Sequence, residues 1–346
     1  MSADTQTLDK AAVGRYLRQF LPGFDTDFQV SKFETGQSNP TFQLITPAGS
    51  YVLRRKPPGK LLKSAHAVDR EFRVQKALQD SDVPVAKMHL LCEDDTVLGS
   101  SFYVMDHVAG RNILDPRMPD IPFEDRGAII DEMNRVLAAL HQVDVDEVGL
   151  ADFGPPGNYF ERQLQRWTKQ YRASETETIG EMNALIQALG ETMPLEDGQR
   201  SLVHGDYRID NMIFGSETTK CRAVLDWELS TIGHPYADLA GVIMQWQLPP
   251  GSEGRGLAGV DRPAMGLPCD AEFIEKYCQR RGLGHIDNFG FYLAFSFFRM
   301  GGILQGVLKR ALDGNASNPE RALTLGGFVK IFAQHGLKAL EEGLEA

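Results

Sequence analysis

An aspartate and an asparagine stand five residues apart in Leu202-Val203-His204-Gly205-Asp206-Tyr207-Arg208-Ile209-Asp210-Asn211, directly behind a short apolar run. Asp226, fifteen residues past Asn211, ends a second apolar run in Val224-Leu225-Asp226-Trp227. Carrying a phosphoryl group from a nucleotide to a hydroxyl needs a carboxylate near the attacking oxygen and oxygen ligands for a metal that bridges the phosphates. It also needs a cation on the phosphates that stay behind. Asp206 suits the first role. Asn211 and Asp226 suit the second, because magnesium prefers hard oxygen donors. The four residues between Asp206 and Asn211 allow a tight loop to turn the acid toward an acceptor and the amide toward the ion. The two apolar runs are expected to be the two strands of one hairpin.

The elements that must hold a nucleotide precede this pair. Leu8 to Phe20 carries Leu8, Ala12, Tyr16 or Leu17, and Phe20 at helical spacing and stops at Pro22-Gly23. Phe28 to Phe33, Thr41 to Ile45 and Tyr51 to Arg54 read as three strands joined by Gly-containing turns. Ala65 to Leu78 returns to helix, and by default Glu71 on it is a solvated acid. Met88 to Cys92 and Ser101 to Val108 are two more strands, separated by the polar turn Glu93-Asp94-Asp95. This predicts a five-stranded antiparallel sheet with a helix packed on it, a nucleotide-binding lobe over residues 1–108.

Beyond Ala109-Gly110 the pattern is helical over Glu124 to His141, Tyr159 to Arg172, Thr178 to Gly190, Tyr236 to Gln247, Ala271 to Arg281, Phe289 to Leu312 and Pro319 to Glu342. Residues 109–346 are therefore expected to be a mainly helical catalytic and substrate lobe, giving an α+β bilobal fold. Pro249 to Pro268 is rich in Gly and Pro, has no periodicity, and is a candidate lid. His141 is expected to be a buried or capping histidine, His204 to support the loop, and Asp210 and Asp238 to bond backbone groups and orient the site.

The 346 residues carry a formal charge of −11, which argues against an extended nucleic-acid surface. Cys92, Cys221, Cys269 and Cys278 show no CxxC spacing, so reduced buried thiols are expected in place of disulfides or zinc. The first residues have no basic and apolar leader pattern, and no apolar run is read as a membrane segment, so a cytoplasmic location without membrane contact is expected.

In order along nearly its whole length the chain resembles the aminoglycoside phosphotransferase family, small-molecule kinases with the protein-kinase-like fold. Thr35-Gly36-Gln37-Ser38-Asn39 is similar to the family's nucleotide loop, Tyr51-Val52-Leu53-Arg54 to its third strand and Val68-Asp69-Arg70-Glu71 to its helix C. Phe102 to Gly110 is similar to the hinge, His204 to Asn211 to the catalytic loop, and Asp226 to the metal-binding aspartate. The resemblance implies ATP as donor and Mg2+ as cofactor, with Asp206 orienting or deprotonating the acceptor hydroxyl and Asn211 and Asp226 holding the metal. It further implies that Glu71 fixes the strand-three cation, that backbone groups of Asp106 and Val108 read the adenine edge, and that Ser38 with the loop amides covers the phosphates.

The family's cation is usually lysine, whereas here Arg54 and Arg55 stand together. Strand alternation sends these two to opposite faces. Alignment with the V-A-I-K pattern selects Arg54. An arginine there, with a single-glycine loop, keeps a second reading open, a nucleotide-binding regulatory or scaffold module with little or no catalysis. Only eleven residues separate Asp226 from Asp238, which leaves no long segment for docking a peptide and favours a small-molecule hydroxyl as acceptor. The run Val52 to Lys60 with Ser64-Ala65-His66 is similar to the kinase-like domain fused to acyl-CoA dehydrogenases. That implies a hydroxyacyl or acyl-CoA acceptor, with an amino sugar as the other candidate, and the basic run Arg54 to Lys63 meeting coenzyme A phosphates.

Overall fold

Strands form early in the chain because apolar residues alternate there. The computed structural model describes residues 8–24, 27–33, 39–57, 67–251, 255–316 and 318–343. The order begins α1 (Lys10–Phe20), β1 (Gln29–Lys32), β2 (Thr41–Thr46), β3 (Gly49–Arg55), α2 (Val68–Ala77), β4 (Met88–Cys92), α3 (Asp95–Leu98), β5 (Phe102–Asp106) and β6 (Arg111–Asn112). It continues through α4 (Phe123–Gln142), α5 (Tyr159–Ser174), α6 (Gly180–Glu191), β7 (Ser201–Val203), β8 (Met212–Phe214), β9 (Cys221–Val224) and β10 (Thr231–Gly233). The last helices are α7 (Tyr236–Trp246), α8 (Asp270–Arg281), α9 (Phe289–Leu312), α10 (Pro319–Gly326) and α11 (Val329–Glu342).

Packing divides the chain into two units, one of Met1–Asn112, Asp146–Leu150 and Asn211–Ser230, the other of Ile113–Val145, Ala151–Asp210 and Thr231–Ala346. In the first, β1-β2-β3-β5-β4 form the expected antiparallel five-stranded sheet. Val13 and Leu17 of α1 join Phe28, Phe42, Leu44, Leu53, Phe102 and Val104 in one core. Val68 of α2 packs with Met88 and Tyr103 in another. Each fully buried Val, Leu or Phe contributes roughly 1.5–3 kcal/mol, so these cores outweigh the weak intrinsic preferences of two helices of ten or so residues. The expected turn at Glu93-Asp95 is partly helix: Asp94 accepts from the Thr96 amide at 2.9 Å and opens α3.

The expected hairpin between the two apolar runs is not formed. Strand β7, which carries Leu202 and Val203, pairs with β10, whereas β9 pairs with β8, and β8 also pairs with β6. The tight connection is from β8 to β9, so the chain after Asn211 makes its own hairpin within the first unit.

The second unit is built around α9, which α5, α6, α7, α10 and α11 all contact. This helix is long and apolar enough to cross a membrane, yet 67% of its most apolar stretch is buried by protein. Its aromatic stripe is core: Phe291, Tyr292, Phe295, Phe297 and Phe298 are buried, and Phe160 of α5 meets the Phe291, Tyr292 and Phe295 rings at 5.1–5.5 Å. The helix expected over Pro319 to Glu342 is two helices. It breaks at Gly326-Gly327, where a Cβ on Gly326 would lie 2.7–2.9 Å from the Leu308 side chain, so the close approach to α9 depends on glycine.

The described residues of the Pro249 to Pro268 segment are less irregular than its composition suggests. Leu257 is buried and donates its amide to Trp246 at 2.9 Å, Pro263–Met265 forms a 3-10 turn, and the Arg262 guanidinium lies 5.3 Å from the Trp246 ring centroid. Three of the four free cysteines are buried as expected; Cys269 is exposed and caps α8.

Candidate active site

Strand β7 delivers the chain to Gly205, whose φ of +83° is the left-handed region that a side chain disfavours. The turn aims the next residue, Asp206, out of the strand direction. What fixes the turn is Asp238 in the first turn of α7. Its Oδ2 accepts from the His204 amide at 2.6 Å and its Oδ1 from the Gly205 amide at 2.8 Å. His141 Nε2 lies 3.4 Å from Oδ2, and His141 Nδ1 lies 2.7 Å from the Tyr277 hydroxyl. Burial raises the cost of the Asp238 charge, but the His141 contact and the His204 amide more than offset it and hold the carboxyl below its ordinary range. Burial pushes His141 down, toward its neutral form.

The same loop is pinned elsewhere. Arg299 donates to the Gly205 carbonyl at 2.8 Å, the His204 ring Nδ1 accepts from the Asp206 amide at 3.3 Å, and the Tyr207 hydroxyl donates to the Met133 carbonyl at 2.8 Å. Two expectations, the buried His141 and the supporting His204, agree with this geometry. Asp238 does bond backbone. The Asp210 carboxylate accepts from Arg208 Nε at 2.9 Å and from Arg255 Nη1 at 2.6 Å. Arg255 lies 45 residues on, inside the stretch read as a loop.

A second constellation lies in the first unit. Arg54 on β3 presents Nη2 to Asp226 Oδ1 at 3.0 Å and Nε to Glu71 Oε2 at 3.0 Å. The second contact is an ion pair without a hydrogen-bond alignment. Glu228 Oε2 stands 3.9 Å from the same guanidinium. Glu71, on α2, is only 1% exposed and not the solvated acid of the default reading. It accepts from Asn39 Nδ2 at 2.8 Å and the Tyr103 hydroxyl at 3.0 Å. Burial pushes its carboxyl up to about 7, with Arg54 and the Tyr103 hydrogen bond pulling the other way. Burial works against the Arg54 charge, but Tyr103, Glu71 and Asp226 around it hold the guanidinium above its ordinary value. Alternation resolves the arginine pair: Arg55 turns to the other face and stacks its guanidinium 5.6 Å from the Phe42 ring centroid.

Asp226 sits at φ +63°, ψ +58°, a region that non-glycine residues enter rarely and aspartate more readily than most. The turn after it is locked by Trp227, whose indole N–H donates to the Val224 carbonyl at 2.9 Å. Asn211 is tied to the same strand, since its carbonyl accepts from the Leu225 amide at 2.7 Å. The β8–β9 hairpin thus carries the amide and the acid on adjacent chains. Among the described residues no group of three or more His, Cys, Asp and Glu could hold a metal. Asn211 and a 36%-exposed Asp226 are two hard oxygen donors, which fits magnesium, an ion that completes its shell with phosphates and water.

Asp106 ends β5. Its amide donates to the Lys87 carbonyl at 2.9 Å and its carboxylate meets His89 Nε2 at 2.6 Å, so the backbone group it can offer an adenine is its carbonyl. Val108 follows two residues later, half-buried. Ser38 and the basic residues Lys60 and Lys63 lie outside the described residues. The structure therefore brings Arg54, Glu71 and Asp226 together and joins Asn211 to the last, while Asp206 belongs to the pinned loop of the second unit. Sequence reasoning missed Asn39, Tyr103, Arg255 and Arg299. Tyr103 left a signal, since it lies in the Ser101 to Val108 run read as a strand, and the structure pairs it with Arg54.

The model of the phosphotransferase enzyme family matches residues 29–282. Acyl-CoA dehydrogenase family member 10 of Mus musculus is 44% identical over 316 residues, which are 91% of this chain and 30% of that protein. The chain thus spans less than a third of that relative. A crystal structure of a putative aminoglycoside phosphotransferase from Ralstonia eutropha JMP134 superposes with a TM-score of 0.90 at 46% identity, covering 97% of this chain and 99% of that one. A thermostable aminoglycoside phosphotransferase in ternary complex with AMP-PNP and hygromycin B shares the fold alone, with a TM-score of 0.62 at 16% identity over 96% of this chain and 99% of that one. Family, fold and the ordered motifs agree, and the chain belongs to the phosphotransferase enzyme family.

Proposed function

We propose that this chain is an ATP- and magnesium-dependent kinase that moves the γ-phosphoryl group to a hydroxyl of a small molecule. The observation that carries the reading is the pinned loop: two successive amides held by one buried carboxylate fix the turn that presents Asp206. A module that only binds nucleotide has no use for a preorganised base. In this reading residues 1–108 serve as the nucleotide-binding lobe and residues 109–346 as the catalytic and substrate lobe.

Asp206 accepts the proton of the attacking hydroxyl, or orients that hydroxyl, as its oxygen attacks the terminal phosphorus. The bond from that phosphorus to the bridging oxygen breaks, so that the nucleoside diphosphate leaves. Arg54, steadied by Glu71, places its charge on the phosphates that remain with the donor. Asn211 and Asp226 would hold magnesium, which when bound neutralises charge on the phosphate oxygens. The Asp106 carbonyl and the Val108 backbone read the adenine edge, and Ser38 covers the phosphates. The eleven residues from Asp226 to Asp238 are taken up by the Trp227–Leu229 turn and β10, which supports a small acceptor over a docked peptide.

The relatives named for acyl-CoA dehydrogenase support a hydroxyacyl or acyl-CoA acceptor over an amino sugar. The test is a panel of hydroxyacyl, amino-sugar and amino-alcohol acceptors incubated with ATP and magnesium and read by mass spectrometry. A product heavier by one phosphoryl group, from one class only, is the expected result. Nucleotide binding without product from any acceptor would instead favour the regulatory or scaffold reading.

A further inference from the structure

Helix α5 carries Arg162 and Arg166 one turn apart, and α9 carries Arg299; all three belong to the second unit. Like charges four residues apart on a helix repel, so helix stability does not call for the first two. Among the described residues none of the three has a carboxylate at ion-pair distance, although the chain carries a formal charge of −11. Arg172, further along the same helix, does pair, with Glu175 at 2.7 Å.

The three charges converge. Arg166 and Arg299 stand over one indole, their guanidinium carbons 5.6 and 5.8 Å from the Trp167 ring centroid. Burial raises the Tyr159 phenol, while Arg299, Arg162 and Arg166 all pull it back. Arg299 also donates to the Gly205 carbonyl at 2.8 Å, which sets the cluster at the turn that presents Asp206. A guanidinium held against a ring face keeps its N–H donors for other partners. In Arg162, Nε is buried and has no acceptor among the described residues, an arrangement that is costly unless a ligand supplies one.

Guanidiniums present paired donors that match the oxygens of a carboxylate or a phosphate. The overall negative charge of the chain disfavours an approaching anion, so a local cluster of cations is what could capture one beside the base. The same cluster repels an ammonium.

We propose that Arg162, Arg166 and Arg299 form an anion subsite that holds a carboxylate or phosphate group of the acceptor and turns away cationic amino sugars. The proposal rests on the kinase reading only in taking the acceptor hydroxyl to meet Asp206. It places recognition on α5 and α9 and not on the basic run Arg54 to Lys63.

Calorimetric titration of the full chain without nucleotide tests it, with probes that share one carbon skeleton: 3-hydroxyoctanoate, its coenzyme A thioester, its neutral N-acetylcysteamine thioester, and the cationic 3-hydroxyoctylamine. An anionic probe should bind about tenfold or more tightly than the neutral one, the scale of one charge-assisted hydrogen bond, and the amine should bind weakest. Which anionic probe wins distinguishes a carboxylate from a phosphate source. Arg162→Gln should weaken that probe about tenfold and leave the neutral probe unchanged. Arg166→Glu, at an exposed position, should weaken it at least as much and strengthen the amine. If Arg162→Gln does not fold, Arg166→Glu decides alone. Equal binding of anionic and neutral probes, no binding of either anion, or anion binding untouched in the folded variants overturns the subsite. Adding ATP and magnesium to the same samples separates the two claims. Arginine-dependent binding without turnover keeps the subsite and counts against the kinase, whereas turnover with arginine-independent binding does the reverse.

Discussion

Glu71 and Asp238 are both buried carboxylates, 1% and 3% exposed, and they titrate in opposite directions. The partners explain the difference. Asp238 has His141 beside it and accepts two backbone amides, donors that cannot rotate away, and is held below its ordinary range. Glu71 has an asparagine, a tyrosine and an off-axis guanidinium, and burial wins, pushing it up to about 7. One network is built to hold a loop still; the other is built from side chains that can exchange partners. That division suits a kinase, where the base must be preorganised while the phosphate end accommodates a donor that comes and goes.

Exchanging the fixed acceptor is expected to have the largest effect. Asp238→Asn turns an amide donor toward backbone donors and should cost on the order of 2–4 kcal/mol by urea unfolding, with turnover lowered further than stability alone explains. A loss below roughly 0.5 kcal/mol would mean that the loop holds itself.

Glu71 gives the next effect, through pH. Its pKa is higher folded, about 7, than its ordinary 4.5, so between these values the folded chain keeps a proton that the unfolded chain has released. Its contribution to stability therefore falls as pH rises across that window, by on the order of 1–3 kcal/mol. Glu71→Gln, which still accepts a hydrogen bond but does not ionise, should flatten that slope; an unchanged slope from pH 4.5 to 7 assigns it to other groups. Nucleotide affinity in the native chain should rise over the same window, as the ionised carboxylate steadies Arg54.

The smallest effect concerns Arg54 itself. Its fork holds Asp226, a proposed magnesium ligand, together with Glu71. Arg54→Lys concentrates the charge at one nitrogen and should release Asp226, lowering the magnesium concentration that half-saturates nucleotide binding roughly two- to fivefold. A higher magnesium requirement would show that Arg54 assists the metal site and does not compete for it.

The elements were legible because their periodicities are local: the expected Phe289 to Leu312 is helix α9 residue for residue, and the five strands stand where alternation put them. Partners were less legible. Strand β7 reaches for β10 rather than the nearer β9, and nothing in Leu202-Val203 encodes that choice. The α10–α11 break falls beside a glycine pressed on Leu308, a contact invisible to helical spacing. In the site, Asp206, Asn211, Arg54 and Asp226 stood out by type and order. Glu71 looked solvated, since its cover comes from Asn39 and Tyr103, each 32 residues away. The Asp210–Arg255 pair was not legible, because Arg255 lies in a stretch without periodicity.

The central claim is that a fixed carboxylate acts on the acceptor while separate groups hold the nucleotide. Single-turnover phosphoryl transfer and magnesium-nucleotide affinity, measured side by side for the native chain and Asp206→Ala, test it most directly. The account predicts transfer slowed about 10²–10⁴-fold with nucleotide affinity unchanged. Transfer at the native rate in Asp206→Ala would contradict it.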